Sequence, residues 1–267
     1  MLSAEHATRA PAAPADRVDV LRQVVTVLGG VAQVVLPALL LPRFRRDATP
    51  PDVVQPAPWT FAVWLPVYAA SLVHVADQAR PGRRADPVLR AAGWPLASAY
   101  AALGVWAPLV VGGRYWAAQG ALVAASTAAG SARRRVVRAE QESGAAAART
   151  VIVPAAALSA WGTAAAGVNL AAMVAAYRPV RSPRGRTGLA VATLAALSGA
   201  ATTAVGRAGP PTVTTRTYGA VVLWALTGVA AGRVRRDPVT AASAGVAALP
   251  LLAALLRRYA GDRRAAA

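Results

Sequence analysis

Apolar residues run in long blocks along this chain, and polar residues gather in the short gaps between them. A bilayer core about 30 Å thick takes roughly 20 apolar residues per helix. Blocks of that kind recur at about 20–41, 59–78, 92–111, 115–132, 151–177, 188–206, 216–233 and 239–257. The first stops at Pro42-Arg43, and the second follows a stretch holding Pro50, Pro51, Pro56 and Pro58. Only Gly112-Gly113-Arg114 separates the third from the fourth, which is the length of a tight helical hairpin. Blocks four and six are the weakest, being dominated by Ala, Ser and Thr, and seven spans is the fallback count. The pattern predicts an all-α integral membrane protein, a polytopic bundle of about eight transmembrane helices.

A linker rich in Arg, Pro and Gly, from Arg178 to Arg186, divides the chain. It predicts a five-helix membrane core over 18–180 and a three-helix membrane extension over 181–267. Residues 1–17 are polar and rich in Pro and Ala, and read as a disordered tail. The apolar block behind them is too long for a cleaved signal peptide and no A-x-A site closes it, so the first span is expected to be retained.

Composition narrows the class further. Of 267 residues only 15% are charged, against about a quarter in soluble domains, so little soluble mass is left outside the spans. The net charge of +18 comes entirely from arginine, 29 in all without a single lysine. A nucleic-acid binder would gather them on one face with aromatic residues between. Here they form small clusters between apolar blocks, such as Arg83-Arg84 and Arg133 to Arg135, where they anchor helix ends among anionic headgroups. Arginine without lysine, with abundant Ala, Gly and Pro, points to a GC-rich bacterial genome and hence to a bacterial plasma membrane. With the N-terminus inside, 18 arginines fall on the cytoplasmic side and 11 on the other, which places both termini in the cytoplasm. Small residues pervade the spans, as in Ser198-Gly199-Ala200-Ala201. They suit a tight bundle or a homodimer interface, and they equally suit an alanine-rich genome.

Candidate chemistry is sparse. Cysteine is absent, which removes thiol nucleophiles, disulfides and Cys-ligated metals. Of the acidic residues only Asp77 touches a span, at its end. Ion-coupled transporters and acid–base enzymes need buried carboxylates. No catalytic residue and no metal site is therefore assigned. His6 lies in the tail; His74 stands three residues before Asp77, as a haem ligand or as half of an interfacial His–Asp pair.

The tryptophans say more. Trp64, Trp106, Trp161 and Trp224 fall deep in their spans, away from the interfacial belt. Phe61, Trp64 and Tyr68 are spaced i, i+3, i+7 on one face of the second span, and Trp161, Ala165 and Asn169 are spaced i, i+4, i+8 on one face of the fifth. Asn169 is a rare strong polar group at depth and needs a hydrogen-bond partner, on another helix or on a ligand.

From Pro56 to Tyr68 the chain reads P-A-P-W-T-F-A-V-W-L-P-V-Y. This resembles the TspO/MBR family of tryptophan-rich sensory proteins, related to the mitochondrial translocator protein, whose second helix opens with roughly P-P-x-W-x-F-x-x-V-W-x-x-L-Y. Pro56, Trp59, Phe61, Val63, Trp64 and Tyr68 carry the match, with one residue fewer between the tryptophans, as in a longer, divergent bacterial branch. Trp161, Ala165 and Asn169 occupy the W, A and N of the family's W-x-x-F-A-x-x-L-N, and Trp106 matches its third-helix tryptophan. The asparagine usual before that tryptophan falls at Leu103, and the Pro-Tyr before the fifth-helix tryptophan and the Gly after the second-helix tyrosine are missing. The motifs cover about residues 20–177, leaving the last three spans outside.

The resemblance implies a five-helix bundle, often dimeric, with an apolar pocket for porphyrins, haem, sterol-like or other lipophilic molecules. On this footing Trp59, Phe61, Trp64, Tyr68, Trp106, Trp161, Ala165 and Asn169 are expected to line or shape a ligand pocket. The expected function is a membrane sensor or regulator binding a porphyrin or other tetrapyrrole, with the lipid bilayer and a lipophilic small molecule as partners and no cofactor required. A carrier for a lipophilic solute and a tetrapyrrole-modifying enzyme are the alternatives. The first would show pseudo-symmetric halves with broken helices; the second lacks a buried acid, base or thiol.

Overall fold

The computed structural model describes residues 14, 16–44, 53–143, 149–177, 180, 182–207 and 213–265. The tail expected over 1–17 lies almost entirely outside them, as does His6. Eight α-helices form among the described residues: α1 (Arg17–Phe44), α2 (Trp64–Gln78), α3 (Pro87–Val111), α4 (Tyr115–Ser143), α5 (Arg149–Tyr177), α6 (Pro183–Gly206), α7 (Val213–Arg233) and α8 (Pro238–Ala265). A 3-10 segment, Pro58–Val63, leads into α2. The protein is thus a multi-helix membrane bundle, with no strand among the described residues.

Helix ends follow local chemistry. Asp86 precedes α3 and accepts a hydrogen bond from the Leu89 amide at 3.0 Å, with Pro87 in the first helical position. Ser182 does the same for α6 ahead of Pro183, accepting from Gly185. A side-chain oxygen satisfies an amide that the first turn cannot, and proline there loses nothing. Between α3 and α4, Gly113 takes a φ of +70°, a conformation glycine enters without steric cost.

Six helices are long and apolar enough to cross a membrane: α1, the 3-10 segment with α2, α3, α5, α6 and α8. The fourth and sixth blocks are the weakest by composition. In the structure α6 meets the length and hydropathy requirement, whereas α4 and α7 do not. The arginines of the fourth gap belong to helix, because α4 continues past its apolar part through Arg133 to Ser143. A hydrophobic run marks the part of a helix that lipid accepts; its hydrogen bonding carries on into the headgroups.

Helix α5 is the centre. It is apolar all round, the signature of a helix surrounded by others. Trp161 and Leu158 join a core with α2, α3 and α4, while Ala156 and Ala160 join a second core with α6, α7 and α8. Helix α7 touches both, through Ala225 on the first side and Leu226 on the second. Two glycines let chain lie directly on α7. A Cβ at Gly228 would stand 2.1 Å from Thr60 Oγ1, and one at Gly232 2.6 Å from the Ala57 nitrogen. The Ala57 amide donates to the Gly228 carbonyl at 2.8 Å, and Trp224 Nε1 donates to the Thr60 carbonyl at 2.8 Å. The proline-rich stretch ahead of α2 is therefore seated on α7.

The bundle's other end is tied by charge. Arg22, 2% exposed, donates to Asp19 Oδ1 at 3.0 Å and to the Arg84 carbonyl at 2.7 Å. Asp19 Oδ2 also accepts from Arg90 at 2.6 Å. Gln23 donates to the Gln78 carbonyl, and Gln78 returns a bond to the Gln23 carbonyl at 3.1 Å. Together these fasten α1 to the link between α2 and α3.

Candidate ligand cavity

The 3-10 segment decides how the motif points. With three residues per turn, positions i and i+3 eclipse. Thr60 and Val63 are accordingly buried, Trp59 and Ala62 are exposed, and Phe61 and Trp64 share the third direction. That direction faces α5. Phe61 and Trp64 meet Trp161 edge-on, with ring centroids 6.0 and 6.1 Å apart. Edge-to-face contact places the positive rim of one ring on the negative face of the next.

Beside these rings lies a hollow of about 250 Å³, at the end of the bundle that holds the α3–α4 turn. Phe61 and Trp64 wall one side, Leu103 and Trp106 of α3 another, Tyr115, Gln119 and Leu122 of α4 a third, and Trp161, Ala165, Asn169 and Met173 of α5 a fourth. Gln55, Pro56 and α7 residues Ala225 and Val229 close it. Its lining contains no carboxylate, imidazole or guanidinium.

Two polar atoms in this wall lack partners. Gln119, 7% exposed, donates from Nε2 to the Ala166 carbonyl at 2.9 Å and leaves Oε1 without a hydrogen bond. Trp161, 3% exposed, has Nε1 buried and likewise unbonded. Buried polar atoms are nearly always satisfied, so such exceptions need a cause. One acceptor and one donor, both sealed, are thus left over on residues that line the hollow.

Six residues singled out from the sequence line this hollow: Phe61, Trp64, Trp106, Trp161, Ala165 and Asn169. Two do not. Trp59 turns outward along the 3-10 segment and packs edge-on against Trp224, centroids 4.9 Å apart. Tyr68 lies one helical turn beyond Trp64 and stacks on it at 5.0 Å, so it backs the wall without forming it. Gln119, Tyr115, Gln55 and the α7 residues carry no motif, and nothing in the sequence marked them. Leu103 was noted only as a departure from the family's asparagine. It lines the hollow as an apolar residue, and the buried amide stands instead at Gln119 on the next helix.

His74 is elsewhere. It is sealed against Tyr100 with centroids 6.1 Å apart, and its Nδ1 has no hydrogen-bond partner. Asp77 does not pair with it, because Arg80, Arg83 and Thr150 donate to that carboxylate at 3.4, 3.2 and 2.9 Å. Among the described residues no group of three or more His, Asp or Glu side chains could hold a metal ion.

A family model described as TSPO-like protein matches residues 46–257. The match extends past the stretch carrying the motifs and takes in α6, α7 and most of α8. No curated protein and no solved structure matches the chain.

Proposed function

The chain belongs to the TSPO-like family, and on that premise we propose that it is a membrane sensor or regulator that binds a flat lipophilic ligand in the aromatic hollow, a porphyrin or other tetrapyrrole being the class that fits best. One observation carries the reading. Phe61, Trp64, Trp106 and Trp161 come from three separated parts of the chain and surround a space of about 250 Å³. That volume stands near the lower edge of the range for small-molecule pockets, roughly 300–1,000 Å³, so the hollow would hold part of a large flat molecule. Ring faces and edges supply dispersion and stacking; Gln119 Oε1 would accept from a ligand N–H, and Trp161 Nε1 would donate to a ligand acceptor. Pyrrole rings present such N–H and N positions. A wall without acid, base or imidazole supports binding without chemical conversion of the ligand. The bacterial plasma membrane with both termini in the cytoplasm remains the proposed location, supported by the distribution of arginines. A homodimer is proposed from the family alone.

Titration of the purified full chain with protoporphyrin, followed by tryptophan fluorescence, tests the reading. Saturable quenching is expected, with affinity about tenfold weaker in Trp64→Ala and in Trp161→Ala, as for loss of one stacking ring of about 1.4 kcal/mol. Quenching that never saturates, or that is unchanged in both variants, overturns it.

A further inference from the structure

Arg133 differs from the arginines beside it. Arg134 and Arg135 are exposed, whereas Arg133 is 7% exposed and turned into the bundle. Its guanidinium carbon lies over the ring of Tyr218, 4.5 Å from the centroid, and Tyr218 on α7 is itself 4% exposed. Among the described residues it donates no hydrogen bond and meets no carboxylate within 4.0 Å, and its Nε is sealed without a partner. The neighbouring charge is Arg134, of the same sign. The face of a tyrosine offsets part of the cost of desolvating a cation. It supplies no acceptor for five N–H groups. A buried guanidinium normally has an anion, and among the described residues none stands beside it.

Depth indicates what does. Arg133 stands 18 residues past Tyr115, the first residue of α4, which is about 27 Å along the helix axis. With Tyr115 taken as the near boundary of a hydrocarbon slab about 30 Å thick, the Arg133 backbone stops a few ångströms short of the far boundary, within an arginine side chain's reach of the phosphate layer at the arginine-rich end. This is the end opposite the aromatic hollow, so the two sites are separate.

We propose that the seam between α4 and α7 at the arginine-rich end is a binding site for a phosphate-bearing anion, held by the planar fork of Arg133 with Tyr218 as its backing. A guanidinium can present two parallel N–H groups to two phosphate oxygens, a geometry lysine cannot reproduce. The depth favours a phosphodiester headgroup of an anionic phospholipid as the source, with free phosphate as the alternative carrier of the same chemistry.

The full chain in nanodiscs of phosphatidylcholine alone, or with added phosphatidylglycerol, provides the test. The readouts are the thermal midpoint and the phosphatidylglycerol retained per chain after detergent extraction. Wild type is expected to gain stability with phosphatidylglycerol and to retain about one molecule per chain. Arg133→Gln should retain about tenfold less and lose the gain, while Arg134→Gln should match wild type. A midpoint that rises with inorganic phosphate in phosphatidylcholine discs assigns the site to a soluble anion; a response to phosphatidylglycerol alone assigns it to a headgroup. Equal retention in Arg133→Gln and wild type, an equal loss in Arg134→Gln, or no response to either anion overturns the proposal. Should Arg133→Gln fail to fold, Tyr218→Leu keeps the charge and removes the ring, and unchanged retention in that variant overturns it as well.

Discussion

Two clusters, one at each end of this bundle, bury polar groups in opposite ways. At the arginine-rich end Asp19, Arg22, Gln23, Gln78 and Arg84 bond to one another and to backbone carbonyls of the α2–α3 link. At the aromatic end Gln119 Oε1 and Trp161 Nε1 are just as buried and meet nothing. The first arrangement holds α1 against its neighbours. The second stabilises nothing by itself, and that is the physical reason to read it as a receptor surface. Closed networks report on stability; open ones report on what is still to bind. Arg133 extends the lesson, being an open site set at the closed end.

Substitutions can break this contrast, beginning where the largest effect is expected. Asp19→Ala leaves the Arg22 guanidinium buried beside a missing carboxylate and should cost about 3 kcal/mol, read as a fall in the thermal midpoint in detergent. Porphyrin affinity of the protein that remains folded should be unchanged, because the network lies at the far end. An equal loss of affinity would show that the two ends are not independent.

Gly228→Ala should cost about 2 kcal/mol, since its Cβ would collide with Thr60 and lift the 3-10 segment from α7. Unlike the first variant it should also weaken the ligand, because Phe61 and Trp64 ride on that segment. Wild-type porphyrin titration curves would contradict the seating of the motif on α7.

Gln119→Leu sharpens the contrast in the other direction. It removes an unpaired acceptor together with one bond to Ala166, so the thermal midpoint should hardly move. Affinity for a ligand bearing an N–H should fall about tenfold, near 1.4 kcal/mol. A large loss of stability with no loss of affinity would mean that this amide is structural.

The smallest effect concerns Asp237, outside the membrane ahead of α8. Burial pushes its carboxyl upward, but hydrogen bonds from the Thr240 hydroxyl and amide and from Thr187, with Arg233 nearby, outweigh this and hold it below the ordinary aspartate value of 3.8. A lowered folded pKa means that the stabilisation is present above 3.8 and is lost as pH falls through the folded value. Asp237→Ala should lower stability at pH 7 by about 1 kcal/mol, the value of a helix cap. The difference from wild type should shrink on acidification toward pH 2. A difference independent of pH would refute the assignment.

Much of the fold was legible because its cause is local. Each apolar block reflects the solvent that must surround it, and Gly112-Gly113 announces a turn; the starts at Asp86-Pro87 and Ser182-Pro183 lie about five residues ahead of the blocks, because polar first turns carry no hydropathy signal. The site was legible in part. Phe61, Trp64, Trp106, Trp161, Ala165 and Asn169 could be named from spacing and motif, since each helix's own period carries them. Trp59 and Tyr68 stand off the lining for separate reasons: the 3-10 turn sends Trp59 outward with Ala62, and Tyr68, one α-helical turn past Trp64, stacks behind it.

By itself the sequence determined that this chain is a bundle of membrane helices, that its charge lies in the gaps, and that Phe61, Trp64 and Trp161 sit within its apolar blocks. Only the tertiary structure decided that α7 carries the motif segment, that Gln119 replaces the amide absent at Leu103, and that Arg133 alone of its run turns inward. Hydropathy and helical period are properties of one segment in its solvent. Which partner a glycine, an amide or a guanidinium meets depends on packing between segments far apart in the chain, and no local pattern encodes that choice.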